Sequence, residues 1–249
     1  MDSSSHDNMS FLEHLEELRW HIIRSLIAIV SAGFICFLMK DFIFDTIIFG
    51  PKKMDFPTYK FLCQAATFIG VETTFCGDEF PFIVQNRTMA GQFSAHVMTS
   101  IISGFIISFP YILYEFWKFI SPGLLEKEKA KSRGFIFISS LLFFIGVLFG
   151  YYIISPLSIN FLGTYQVSSQ VLNEIDLGSF ISLVRSSAIA SGIIFELPII
   201  IYFLTKAGVV TPESLVKYRK YALVLVLVLA AIITPPDVAR QIIVALPIV

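Results

Sequence analysis

Residues 134–173 read GFIFISSLLFFIGVLFGYYIISPLSINFLGTYQVSSQVLN, forty residues without one charged side chain. A soluble domain cannot hold such a run in water, and about 20 apolar residues suffice to cross a bilayer. The rest of the chain agrees. Of 249 residues 55% are hydrophobic and 15% charged, with 26 Phe, against about 25% charged in a soluble domain. That balance excludes intrinsic disorder, a collagen-like repeat and a disulfide-rich secreted module. The net charge of −1 supplies no basic field for nucleic acid.

Outward from this stretch, Ser25–Met39, Thr88–Tyr114 and Ala222–Pro236 are also free of charge, and Ser186–Phe195 and Leu197–Thr205 flank a single Glu196. The pattern predicts an all-α integral membrane protein with six transmembrane helices, at 20–40, 93–114, 134–155, 178–204, 221–234 and 238 to the end. The fourth, about 40 Å of helix, is expected to tilt, or to kink near Gly192 and Pro198. The last two are short. The fifth gives about 21 Å, so local thinning of the bilayer is expected there. The alternative is one re-entrant hairpin turned at Thr234-Pro235-Pro236-Asp237. No internal repeat supports an inverted-repeat transporter.

Lys and Arg set the orientation. Arg19, Arg24, Lys118, Lys127, Lys129, Lys131, Arg133, Lys206, Lys217, Arg219 and Lys220 fall at the N-terminus and in the even-numbered connections, whereas 156–177 has neither residue type. The N-terminus is therefore placed in the cytoplasm. The first 18 residues carry five carboxylates and no Lys or Arg, which excludes a secretory signal peptide. Residues 1–19 form a cytoplasmic amphipathic segment and 20–249 one six-helix domain, with a long first outer loop at 41–92. Pro247-Ile248-Val249 ends inside an apolar segment, as a truncated chain would.

Several polar groups stand out against this background. Ser10 and Glu13 form a capping box, after which Phe11, Leu15, Leu18 and Ile22 make one stripe with Glu13, Glu16 and Glu17 away from it. Interfacial helices usually offer Lys and Arg to anionic lipid. This one offers carboxylates, either as a solvated face or as a site for something basic. After the second span, Pro122-Gly123 breaks the helix, and Glu126 and Glu128 follow among lysines. Glu196 lies mid-span, where a carboxylate is expensive and usually functional. It is protonated, faces a wet cavity, meets a polar group on a partner, or satisfies backbone freed by Pro198. His96 reads as a hydrogen-bonded packing residue. Cys63 and Cys76, both in the first outer loop, are candidates for a disulfide; Cys36, inside span one, is not. The spacings offer no metal set, no nucleotide fingerprint and no nucleophile elbow, so no catalytic residue and no cofactor is assigned.

Five motifs taken in order resemble the TatC family, the multispanning subunit of the twin-arginine protein translocase. They are His14-Leu15-Glu16-Glu17-Leu18-Arg19; Phe119-Ile120-Ser121-Pro122-Gly123-Leu124 with Glu128; Phe149-Gly150-Tyr151; Phe195-Glu196-Leu197-Pro198; and Thr234-Pro235-Pro236-Asp237 with Gln241. The resemblance runs from Phe11 to the end and is loosest over 52–85. It implies six helices with both ends cytoplasmic, in a bacterial inner membrane, with thylakoid and mitochondrial inner membranes as alternatives. It implies recognition of paired-arginine signal peptides and export of folded proteins by the proton-motive force. The implied partners are those peptides, small single-span subunits of the TatA/TatB type, further copies of the chain and membrane lipid. The implied signal-peptide site comprises Glu17 and Glu128, with Phe119, Leu15 and Arg19 around them. Glu196, Tyr151 and Gln241 form the implied docking or intramembrane polar site. Pro51, Pro122, Pro198, Pro235, Pro236 and Asp237 take structural roles. The competing reading is a proton-coupled transporter of small solutes or ions that uses Glu196.

Overall fold

The computed structural model describes residues 11–70, 76–77, 79–120, 132–168 and 170–206. The expected fifth and sixth spans, with Pro235, Pro236, Asp237 and Gln241, lie outside the described residues, as do Ser10, Pro122 and Glu128. Among the described residues four helical stretches are long and apolar enough to cross a membrane: His14–Leu38, Gly91–Ile120, Gly134–Thr164 and Leu177–Phe203. They coincide with the first four spans expected above.

In chain order the elements are α1 (Phe11–Leu38), α2 (Pro57–Ile69), β1 (Phe82–Gln85), α3 (Gly91–Ile120), α4 (Ser132–Phe149), α5 (Ser155–Thr164), β2 (Asn173–Asp176), α6 (Leu177–Phe195) and α7 (Leu197–Lys206). Two π-helical turns interrupt them, Phe42–Ile48 and Gly150–Ile154. The helix interiors are mixed, with Phe143, Ile181 and Val184 buried beside hydroxyl side chains. Thr99, Ser100, Ser108, Ser139, Ser187 and Ser191 are buried, while Val30, Phe34, Leu38, Ile107 and Phe137 stand exposed. Lipid is as apolar as Leu, so large side chains gain nothing by facing inward, and small or hydroxyl residues let helices approach.

The described residues fall into two compact units. The first combines 1–38 with 100–140. Here α1 and α3 run antiparallel. Ser108 Oγ donates to the Ala28 carbonyl at 2.9 Å, and a Cβ on Gly104 would lie 2.5 Å from the Gly33 nitrogen. Only glycine permits that crossing. Trp117 of α3 packs on Phe135 of α4, ring centroids 4.7 Å apart.

The second unit combines 39–99 with 141–249. Gly146 and Gly150 on the α4 side lie against the backbone of Ser191 and Ser187 of α6, an antiparallel seam of small residues. The long connection between the first two spans is not irregular. Pro57 opens α2, where a missing N–H is not needed. Tyr59, fully buried, donates its hydroxyl to the carbonyls of Pro51 and Pro156, each at 2.9 Å. Cys63 of α2 is disulfide-bonded to Cys76, with Cα atoms 5.1 Å apart. β1 then pairs in parallel with β2 from the connection between the third and fourth spans, Phe82 opposite Asn173 and Gln85 opposite Asp176. Arg87 reaches Glu174 at 3.2 Å beside this ladder.

Candidate functional site

The α1 sequence places His14, Glu17 and His21 at helical spacing on one face, and α3 brings Phe119 to meet them. The Phe119 ring stacks on His14 with centroids 4.4 Å apart and presents an edge to His21 at 6.2 Å. Glu17, half-buried between the two histidines, has one carboxylate oxygen, Oε2, shielded and without a hydrogen-bond partner. Leu15 and Arg19 are exposed and stand about 200° around the helix from Glu17. Phe119 thus meets the face of α1 that carries Glu17, and Leu15 and Arg19 stand on another face.

One turn deeper lies a group that the sequence reading passed over. Glu115, 2% exposed, sits 2.6 Å from His21 Nδ1 through its Oε2. An ionised carboxylate only accepts, so Nδ1 carries the proton. Arg24 approaches the same oxygen at 3.7 Å and Lys118 the other at 3.8 Å. Lys118 also covers the Tyr114 ring at 4.4 Å. Glu115 follows directly on the charge-free Thr88–Tyr114 stretch, and its partner His21 is 94 positions away, so nothing in its local spacing disclosed the pair.

Glu196 is the single residue between α6 and α7 and is 7% exposed. The expected kink is a break there. The Glu196 N–H bonds back to the Ile193 carbonyl at 3.1 Å, and its own carbonyl accepts from Ile199 and Ile200 at 3.1 and 3.0 Å. Pro198 falls in the first turn of α7, where its missing N–H leaves no gap. Tyr151 lies elsewhere. Its hydroxyl donates to the Ile47 carbonyl at 2.8 Å and its ring contacts Phe56. The α4–α6 pairing sets neighbouring Gly150 against Ser187, nine residues and about 13 Å along the axis from Glu196. Tyr151 and Glu196 are therefore separate sites. Pro51 is buried in a 3₁₀ turn, Gly50–Lys52. His96 packs edge-on against Phe44 at 5.6 Å. Among the described residues no three His, Cys, Asp or Glu side chains converge as a metal would require.

Four apolar spans, an interior of mixed apolar and hydroxyl side chains and carboxylates held at helix ends define a multi-pass helical membrane protein. The family model described as Sec-independent protein translocase protein (TatC) matches residues 13–247, and the chain belongs to that family. It is 45% identical over 243 residues to the TatC protein of Blattabacterium sp. subsp. Periplaneta americana, covering 97% of this chain and 91% of the relative. To the Aquifex aeolicus TatC it is 36% identical, covering 96% and 90%. A crystal structure of the twin arginine translocase receptor TatC in DDM superposes with a TM-score of 0.73 at 35% identity, over 95% of this chain and 94% of that one. The chain is accordingly a component of a Sec-independent protein translocase, a transport subunit and not an enzyme.

Proposed function

We propose that this chain is the signal-peptide receptor and core subunit of a translocase that exports folded proteins bearing paired-arginine signal peptides, driven by the proton-motive force. One observation supports this beyond family membership: Glu17, on the α1 face whose His14 and His21 meet Phe119, has a carboxylate oxygen shielded and unbonded. A guanidinium satisfies such an oxygen in planar, bidentate geometry that lysine does not reproduce. Glu128 receives the second arginine, and Phe119 borders the apolar segment that follows. The chain threads six times, with residues 1–19 and the C-terminal end cytoplasmic and 20–249 as the spanning domain, in a bacterial inner membrane. Glu196, with Gln241, docks a small single-span subunit of the TatA/TatB type, while Tyr151 supports the outer end of its span. Further copies of the chain complete the assembly.

The test is binding of a twin-arginine peptide to the purified chain. Glu17→Ala or Glu128→Ala should each weaken it by about 1.5–3 kcal/mol, the range for a charge-assisted hydrogen bond. A Lys-Lys peptide should bind poorly to the unaltered chain. Unchanged affinity in the double variant would reject the site. In the same strains, Glu196→Ala should lose copurification of the single-span subunit and Glu196→Gln should keep much of it. Equal loss in both would instead make the titrating proton the essential feature.

A further inference from the structure

We propose that Arg185 and the cavity around it hold the phosphate of an anionic membrane lipid. The inference rests on the chain spanning a membrane and is independent of the signal-peptide reading. Arg185 lies eight residues into α6 and is half-buried within the apolar stretch Leu177–Phe203. It forms no hydrogen bond or ion pair among the described residues. The two acids nearest the start of α6 are engaged by other groups. Asp176 Oδ2 caps α6 by accepting from the Gly178 and Ser179 N–H groups at 2.9 and 3.3 Å, and Glu174 is held by Arg87 at 3.2 Å. An ionisable group inside a span is functional by default, and an unpaired one calls for a counter-charge.

The surroundings say what that counter-charge is. Arg185 lines a cavity of about 390 Å³ with Thr88, Ser94, Met98, Gly178 and Ile181. Side chains on a helix lean toward its N-terminus. Ile181 and Gly178, four and seven residues earlier, line the same cavity, so the Arg185 stem runs toward the first turn of α6. Gly178 leaves that route open. The Arg185 Cα is about 12 Å below the start of α6, and the stem lifts the guanidinium toward headgroup level. The two hydroxyls, Thr88 and Ser94, supply donors for phosphate oxygens. Met98, 51% exposed, provides an apolar bed for an acyl chain. A guanidinium fork matches two phosphate oxygens at once.

The experiment is native mass spectrometry of the purified full chain taken from mixed phosphatidylglycerol and phosphatidylcholine micelles. The unaltered chain should retain phosphatidylglycerol in preference to phosphatidylcholine. Arg185→Gln should lower that retention about tenfold, and Arg185→Lys should lower it less. Ser94→Trp keeps the charge but fills the cavity, and should also lower it. Closed Cys63 and Cys76 thiols in each variant certify that the outer segments have folded. Equal retention by Arg185→Gln and the unaltered chain would overturn the proposal, as would equal retention of the two lipids. Displacement of the lipid by inorganic phosphate would make the site one for free phosphate and overturn the lipid source. Loss of a copurifying protein at unchanged lipid content would place a partner's carboxylate there instead.

Discussion

Glu115 is the side chain whose environment its sequence neighbours least disclose. Buried at 2% exposure, it faces His21, Arg24 and Lys118, the first of them also buried and the other two about half exposed. Removing one member of a buried pair strands the other, at about 3–5 kcal/mol, and the two half-exposed partners put the expected cost near the lower end. Glu115→Ala should therefore lower the detergent melting temperature by the equivalent of about 3 kcal/mol. Adding His21→Ala should recover part of that loss, because the stranded imidazole is gone. Additive losses in the double variant would show the two residues to be uncoupled. Both side chains touch or flank the ring that stacks on His14, so Glu115→Ala should also weaken signal-peptide binding more than its distance from Glu17 would imply.

Helix seams follow a different logic, in which backbone approach and not side-chain volume carries the contact. The α1–α3 crossing at Gly33 and Gly104 admits no Cβ. Gly104→Val should cost about 1–3 kcal/mol by overpacking, read as a lower melting temperature in detergent. Gly134→Ala meets nothing within 4 Å and serves as the neutral control. A tolerated Gly104→Val would show that the helices can part there without loss. At this scale the sequence was informative about the elements themselves. Of the six spans expected from apolar stretches, the four among the described residues are helices, and the tilt or kink expected near Gly192 and Pro198 is a break at Glu196. The seams were not legible, since a glycine inside a span looks the same whether it faces lipid or another backbone. Nor was the β1–β2 ladder, whose strands are four residues each and 91 positions apart.

For the whole molecule the informative reagent is a thiol label. The Cys63–Cys76 bond closes a short loop worth roughly 3 kcal/mol in the chain-entropy account. Both thiols should resist alkylation in native membranes until reductant is added. Full alkylation without reductant would remove the disulfide. Single cysteines at Ser132 and Thr211 should label only from the cytoplasm and one at Ser168 only from outside, as the Lys/Arg asymmetry requires. Labelling of the Ser132 position from outside would reverse the threading.

By itself the sequence determined that this chain lives in a bilayer, where its first four spans fall, and which family it resembles. Each of these depends on composition over a window or on a motif contiguous in the chain, and neither needs distant residues to be brought together. The tertiary structure decided which polar groups meet. His21 finds Glu115 across 94 positions, Tyr59 binds Pro156 across 97, and Glu174 takes Arg87 across 87, which leaves Arg185 with no acid of its own. Ion pairs and hydrogen bonds act over a few ångströms in space, and sequence spacing is silent about space beyond a helical turn or two. Hydrophobic burial accumulates along the chain and is readable there; electrostatic pairing is settled only when the helices pack.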